Sequence, residues 1–249
     1  MKRLQCLLTC MAMAMAMHAA AMAADCPVPT EAAISAQPAM RASLTDKWLS
    51  EHQAINKRMV GSPKAELVLV GDSLLARFRA EQLPQPLRQS ALLNIAVGGD
   101  QTQNMLWRLE HLPLGSIEPR EVVLLAGTNN LSHRLPACDV LAGIEKLVAT
   151  LRQAWPRMHL TVVGILPRGK SLRVHEASRR LVNDGLAAAA RRENFTFVDP
   201  TEAFLCNRSN DCGYYLDDML HLTPTGYERL WSLLQPILQP ALARPGPGK

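Results

Sequence analysis

The chain has 249 residues, 48% of them hydrophobic and 20% charged, and a formal net charge of +5. That balance belongs to a folded globular protein and excludes a disordered tail, a collagen and a coiled-coil rod. The length fits one large domain or two small ones, and no Pro- or Gly-rich linker divides it internally. Met1-Lys2-Arg3 is a basic start, Leu4 to Ala24 is apolar and built largely from Met and Ala, and Ala21-Met22-Ala23 has the small-x-small pattern that a signal peptidase reads. The run meets Asp25 with no cationic stop-transfer flank. Residues 1–24 are therefore expected to be a signal peptide rather than an anchor. The mature protein is expected to be secreted or periplasmic, with no integral membrane span.

Without that leader Lys+Arg falls from 27 to 25 against 22 acids, and the net charge from +5 to +3. The remaining cations are dispersed. Arg179-Arg180 and Arg191-Arg192 lie twelve apart and read as a solvated helix face, so no nucleic-acid partner is expected. Four cysteines remain, Cys26, Cys138, Cys206 and Cys212, which allow three pairings in an oxidising compartment. Cys206 with Cys212, flanking Asn207-Arg-Ser-Asn210, is the favoured pair, which leaves Cys26 with Cys138. No C-x-x-C occurs, so neither a zinc ribbon nor a thioredoxin-type motif is suggested.

After the leader, residues 25–46 read as an N-terminal extension, and Pro-rich Cys26 to Pro38 is expected to be loosely packed, like the 241–249 tail. Glu66-Leu-Val-Leu-Val70 then forms a short, continuously apolar run, as a strand buried on both faces requires. Ala91–Ala96, Glu121–Ala126, His159–Leu166 and Phe195–Val198 read the same way. Helical patterns separate them at Leu74–Gln82, Thr102–Glu110, Val140–Trp155, Leu172–Glu193 and Thr225–Leu238, the last announced by Thr223-Pro224. Five strands alternating with helices predict a parallel sheet covered on both faces. Ligands of such sheets bind outside the carboxyl ends of the strands.

The polar residues at those ends carry the chemistry. The first strand runs into Gly71-Asp72-Ser73, which places a serine hydroxyl at a strand-to-helix turn. A helix cap alone would also explain Asp72 or Ser73. The second strand ends in Val97-Gly98-Gly99-Asp100, where paired glycines expose backbone amides. The third ends in Gly127-Thr128-Asn129-Asn130, where a side-chain amide can donate to an oxyanion or merely close a turn. Before the last helix, Asp217-Asp218-Met219-Leu220-His221 puts a carboxylate within reach of an imidazole. Separately each is weak. Together they supply a nucleophile, a base with its orienting acid, and oxyanion donors at one sheet edge.

The order Gly-Asp-Ser, Gly, Gly-x-Asn, Asp-x-x-His resembles the SGNH (GDSL) hydrolase family. Within it, Trp48–His52, Asn94–Asp100, Leu106–Leu109, Gly127–Asn130, Gly164–Gly169 and Leu220–Thr223 are similar to the catalytic alpha subunits of intracellular platelet-activating-factor acetylhydrolases. The resemblance spans about Lys47 to Leu238, within a hydrolase domain set at residues 47–240. It implies a flavodoxin-like three-layer α/β/α sandwich with a five-stranded parallel sheet, and ester hydrolysis with no cofactor or metal. It makes Ser73 the nucleophile, His221 the base and Asp218 its partner, preferred over Asp217 by spacing. It gives the oxyanion hole to the Ser73 and Gly99 amides and the Asn129 side chain, and leaves Asp72 to form the turn. The related subunits dimerise, which raises a homodimer as an expectation. With short loops and no apolar insertion to build a lid, small acyl groups are expected, on small-molecule, glycan or lipid esters. A lipase or phospholipase is the enzymatic alternative. A noncatalytic glycan- or lipid-binding protein on the same fold is the alternative of another class.

Overall fold

The computed structural model describes residues 26–38, 42–78, 91–205 and 212–242. Residues 1–24, expected to be a signal peptide, Cys206 and residues 243–249 lie outside that set. Five strands, β1 (Ala65–Gly71), β2 (Ala91–Asn94), β3 (Glu121–Leu125), β4 (His159–Val163) and β5 (Thr196–Val198), form one sheet in the order β2-β1-β3-β4-β5. All four pairings are parallel. The helices in chain order are α1 (Glu31–Ile34), α2 (Ala42–Val60), α3 (Ser73–Ala76), α4 (Thr102–Glu110), α5 (Thr128–Ser132), α6 (Ala137–Ala154), α7 (Glu176–Arg192), α8 (Thr201–Phe204) and α9 (Pro224–Leu242).

Alternation along the strands divides the core. Val68, Val70, Val122, Leu124, Leu160 and Val162 pack with residues of α2, α4, α6 and α7, such as Ile55, Met105, Ile144 and Leu186. Leu67, Leu69, Val123, Leu125 and Val163 pack on the other face with Leu75 of α3, Phe204 of α8 and Leu230 and Trp231 of α9. A strand buried on both sides is apolar wherever a side chain lacks a partner: β3 is buried throughout, and its charged residue Glu121 lies 2.9 Å from His159 Nδ1. The result is the expected three-layer sandwich with the flavodoxin-like strand order. β1 lies between β2 and β3, so the order reverses beside it, and a crevice opens at the carboxyl ends of these strands.

Four expectations need correction. Cys26 to Pro38 is not loosely packed: Cys26 is disulfide-bonded to Cys138, Ala33 is buried, and Asp139 accepts hydrogen bonds from the Thr30 amide and hydroxyl. Arg179 does not share the solvated face of Arg180, Arg191 and Arg192; it is buried and donates to Glu176, the Ile165 carbonyl and the Thr201 hydroxyl. A buried guanidinium is tolerable only with its donors occupied in this way. The helix expected from Leu172 starts at Glu176, because Leu172 (φ 54°) and His175 (φ 57°) take left-handed backbone. β4 also ends at Val163 rather than Leu166, and there Asn183 of α7 replaces a strand neighbour, accepting from the Ile165 amide and donating to its carbonyl. Cys212 is disulfide-bonded, but the favoured pairing with Cys206 falls outside the described residues.

Candidate active site

The site is assembled from four chain segments. At the end of β1, a Cβ on Gly71 would lie 2.5 Å from the Leu125 carbonyl oxygen, so only glycine lets β1 and β3 approach before the turn. Asp72 follows, fully buried, and Oδ1 accepts from the Leu74 amide at 2.9 Å. Its Oδ2 has no partner among the described residues. Burial pushes the Asp72 carboxyl up to about 7, with Asp100 adding to the effect and the Leu74 amide and Arg168 opposing it. Asp72 is thus a cap, and Ser73 is the first residue of α3. Tyr227 of α9 donates to the Leu74 carbonyl at 2.9 Å and Asn94 to that of Leu75 at 2.7 Å, fixing the turn from two sides.

After β2, the Val97 amide donates to the Gly71 carbonyl (3.0 Å) and the Asp100 amide to that of Val97 (3.4 Å). These bonds form a turn with Gly98 and Gly99 at its tip. Gly99 has φ +84°, which favours glycine, and neither glycine amide has a partner among the described residues. Asp100 holds the turn from beneath. Its Oδ1 accepts from Trp48 Nε1 at 2.6 Å, and its Oδ2 from Arg108 Nε at 2.7 Å and Nη2 at 2.6 Å. Arg108 also donates to the Ile95 carbonyl at 2.7 Å. Both members of the ion pair are buried. Burial pushes the Asp100 carboxyl up, and the Arg108 guanidinium and the Trp48 N–H oppose it.

The two asparagines after β3 divide their work. Asn129 Nδ2 donates to the Asp100 carbonyl at 2.9 Å, which orients its second hydrogen for another acceptor. Asn130 is buried and ties the start of α4, accepting from the Thr102 amide at 3.0 Å and donating to Thr102 Oγ1 and Gln103 Oε1.

The fourth segment precedes α9. Asp218 Oδ1 accepts from the amides of Leu220 (3.0 Å) and His221 (2.9 Å), and Oδ2 lies 2.6 Å from His221 Nδ1. His221 Nε2 is 2.9 Å from Ser73 Oγ. Desolvation works against the Asp218 carboxylate, but the His221 imidazole and the two amides outweigh it and hold it down at about 2. Such a carboxylate accepts the Nδ1–H and leaves Nε2 free to accept the serine proton. Asp217 is exposed and makes no such contact. The loop is anchored by the Gly169 amide on the Met219 carbonyl (2.8 Å) and by Tyr215 Oη on the Pro167 carbonyl (2.6 Å).

Ser73, Gly98, Gly99, Asn129 and His221 line one cleft of about 680 Å³, together with Gln37, Asn104 and His133. Ser73, Asp218, His221, Gly99 and Asn129, all expected from the sequence, are thus brought together. Reading the sequence for chemistry passed over Trp48 and Arg108 as supports of Asp100. Their signal was present in the Trp48–His52 and Leu106–Leu109 blocks. Gln37 and His133 carried no sequence signal. Among the described residues no cluster of three or more His, Cys, Asp or Glu could hold a metal ion, and no helix is long and apolar enough to cross a membrane.

Residues 43–229 match the GDSL-like lipase/acylhydrolase family. The platelet-activating factor acetylhydrolase IB subunit alpha1 of Rattus norvegicus is 34% identical over 206 residues, covering 80% of this chain and 85% of that one. The alpha2 subunit of Bos taurus is 29% identical over 201 residues, covering 79% and 86%. Among solved structures, a GDSL-like lipase from Bacteroides thetaiotaomicron superposes with a TM-score of 0.60 at 17% identity, covering 79% of this chain and 97% of that one. A lipase/acylhydrolase from Enterococcus faecalis gives 0.58 at 21% identity, covering 74% and 98%.

Proposed function

This chain belongs to the GDSL-like lipase/acylhydrolase family and is a carboxylic ester hydrolase, and from that premise we propose that it is a secreted or periplasmic serine esterase that removes short acyl groups through an acyl-enzyme. The observation that carries the mechanism is the unbroken line from Asp218 to His221 Nδ1 (2.6 Å) and from Nε2 to Ser73 Oγ (2.9 Å). Ser73 Oγ attacks the ester carbonyl carbon while its proton passes to His221 Nε2. The negative charge moves to the carbonyl oxygen, facing the Ser73 and Gly99 amides and the Asn129 side chain. Collapse breaks the bond to the alcohol oxygen, which takes the proton from His221, and the acyl group stays on Ser73. Water repeats the sequence: its proton goes to His221, its oxygen to the acyl carbon, and the proton returns to Ser73 Oγ as the acid leaves.

Short acyl groups are supported by the acetylhydrolase names of the relatives. An oxidising compartment is supported by the Cys26–Cys138 disulfide and by the apolar leader. The test is hydrolysis of p-nitrophenyl acetate, butyrate and palmitate by the wild type and by Ser73→Ala. The expected result is a rate highest on acetate and lowered by about 10⁴-fold or more in the variant. Turnover surviving in Ser73→Ala would overturn the nucleophile. A rate rising steeply with chain length would overturn the short-acyl reading.

A further inference from the structure

Part of the wall of the cleft comes, through Gln37, from chain that precedes the sheet. Residues 26–38 are fastened to the first turn of α6 by the Cys26–Cys138 disulfide and by Asp139, which accepts from the Thr30 amide (3.1 Å) and hydroxyl (3.0 Å). Ala33, within this strap, is buried. The other end is pinned at Gln37, whose amide donates to the Gln103 carbonyl (3.0 Å) and whose carbonyl accepts from Asn104 Nδ2 (3.1 Å). Both backbone groups of Gln37 are therefore used. Its side-chain amide, on a residue that lines the cleft, has no partner among the described residues.

A second polar group lines the same cleft. His133 follows α5, the helix that carries Asn129, and its Nδ1 lies 2.8 Å from the Asn129 carbonyl oxygen. A carbonyl can only accept, so Nδ1 carries the hydrogen, and in the neutral ring Nε2 is left as an acceptor. A carboxamide that both donates and accepts, together with an imidazole acceptor, suits an alcohol bearing several hydroxyl groups. It suits a hydrocarbon tail poorly, because burying unpaired polar groups under such a tail is costly.

We propose that Gln37 and His133 form a subsite for the alcohol half of the ester, and that this alcohol is a sugar unit of an O-acetylated glycan. The disulfide-tied strap holds Gln37 in place. This rests on the serine-esterase reading above and adds the identity of the leaving group to it.

The test compares acetylated xylo-oligosaccharides, whose leaving group carries hydroxyls, with p-nitrophenyl acetate, whose leaving group has none. The proteins are the wild type, Gln37→Ala, His133→Ala, the pair Cys26→Ser with Cys138→Ser, and Ser73→Ala as control. Each single replacement should lower the kcat/KM ratio of sugar ester to p-nitrophenyl acetate by about two- to tenfold, through KM, as losing one neutral hydrogen bond would. The cysteine pair should lose the same preference. If that variant fails to fold, Gln37→Ala alone decides. A parallel loss on both substrates, or no loss on the sugar ester, would overturn the subsite. So would a wild type that turns over p-nitrophenyl acetate through Ser73 but leaves the acetylated sugar intact; the esterase reading would survive that result. Absence of Ser73-dependent turnover on either substrate would overturn both.

Discussion

The two halves of the site are built in opposite ways. The turn that follows β2 is supported from inside the protein: the Asp100 carboxylate and the Arg108 guanidinium are 0% and 1% exposed, and Trp48 closes the group. The segment that holds His221 lies at the surface, where the Asp218 side chain is 49% exposed and is oriented mostly by two amides of its own loop. The buried half must keep backbone amides fixed, and a buried ion pair does so at the risk of a large cost when either partner is lost. The exposed half must let a proton move, and a short local loop can hold an imidazole without being part of the core. Stability and catalysis should therefore separate along this division.

The largest expected effect is on the exposed side. His221→Ala removes the proposed base and should lower kcat on p-nitrophenyl acetate by about 10⁴–10⁶-fold, with stability in urea changed by no more than about 0.5 kcal/mol. A strongly destabilised variant would erase the contrast. On the buried side Asp100→Ala leaves Arg108 without its anion and should cost about 3–5 kcal/mol in the same urea titration. An unshifted midpoint would mean that the pair does not support the turn. Asn129→Ala joins the halves functionally: a loss of about 10²–10³ in kcat is expected, with about 1 kcal/mol of stability lost with its bond to the Asp100 carbonyl, and full kcat in a folded variant would remove Asn129 from the oxyanion site.

The remaining effects concern pH and carry opposite signs. Asp72 is fully buried, and the folded chain keeps its proton up to about 7 whereas the ordinary value is 3.8. Between those values folding takes up a proton, so stability falls as pH rises, by at most about 1.4 kcal/mol per pH unit. Asp72→Asn should flatten that slope, and parallel stability profiles of wild type and variant from pH 4 to 7 would show the assignment wrong. Asp218 runs the other way. Held at about 2 against an ordinary 3.8, it stabilises the fold above that ordinary value and loses the contribution as pH falls toward 2. Its exposure keeps that contribution small, because solvent screens it.

Much of this was readable from the chain. The five strands were visible because burial on both faces demands unbroken apolar runs, and Thr102–Glu110 was bounded correctly by its helical period. Helix α2 was missed, although it carries Trp48 and spans Ala42–Val60. It is polar over much of its length and contacts the core through few residues, chiefly Trp48, Ile55 and Met59. Arg179 was misread because a charged residue in an arginine pair is normally solvated. Its burial depends on acceptors from Glu176, Ile165 and Thr201, which no local pattern links. The strap was misread for the same reason, since Pro-rich composition says nothing about a disulfide or a carboxylate more than a hundred residues away.

The sequence by itself determined the strand and helix alternation and the identity of the groups at the strand ends, Ser73, Gly99, Asn129, Asp218 and His221, because backbone period and side-chain chemistry are local properties. Only the tertiary structure decided what holds and surrounds them. The Asp100 ion pair, the division of labour between Asn129 and Asn130, and the placing of Gln37 and His133 on the cleft all depend on polar groups meeting across distant segments. A buried polar group must find its partner wherever the fold provides one, and that partner is fixed by packing rather than by neighbours in the chain.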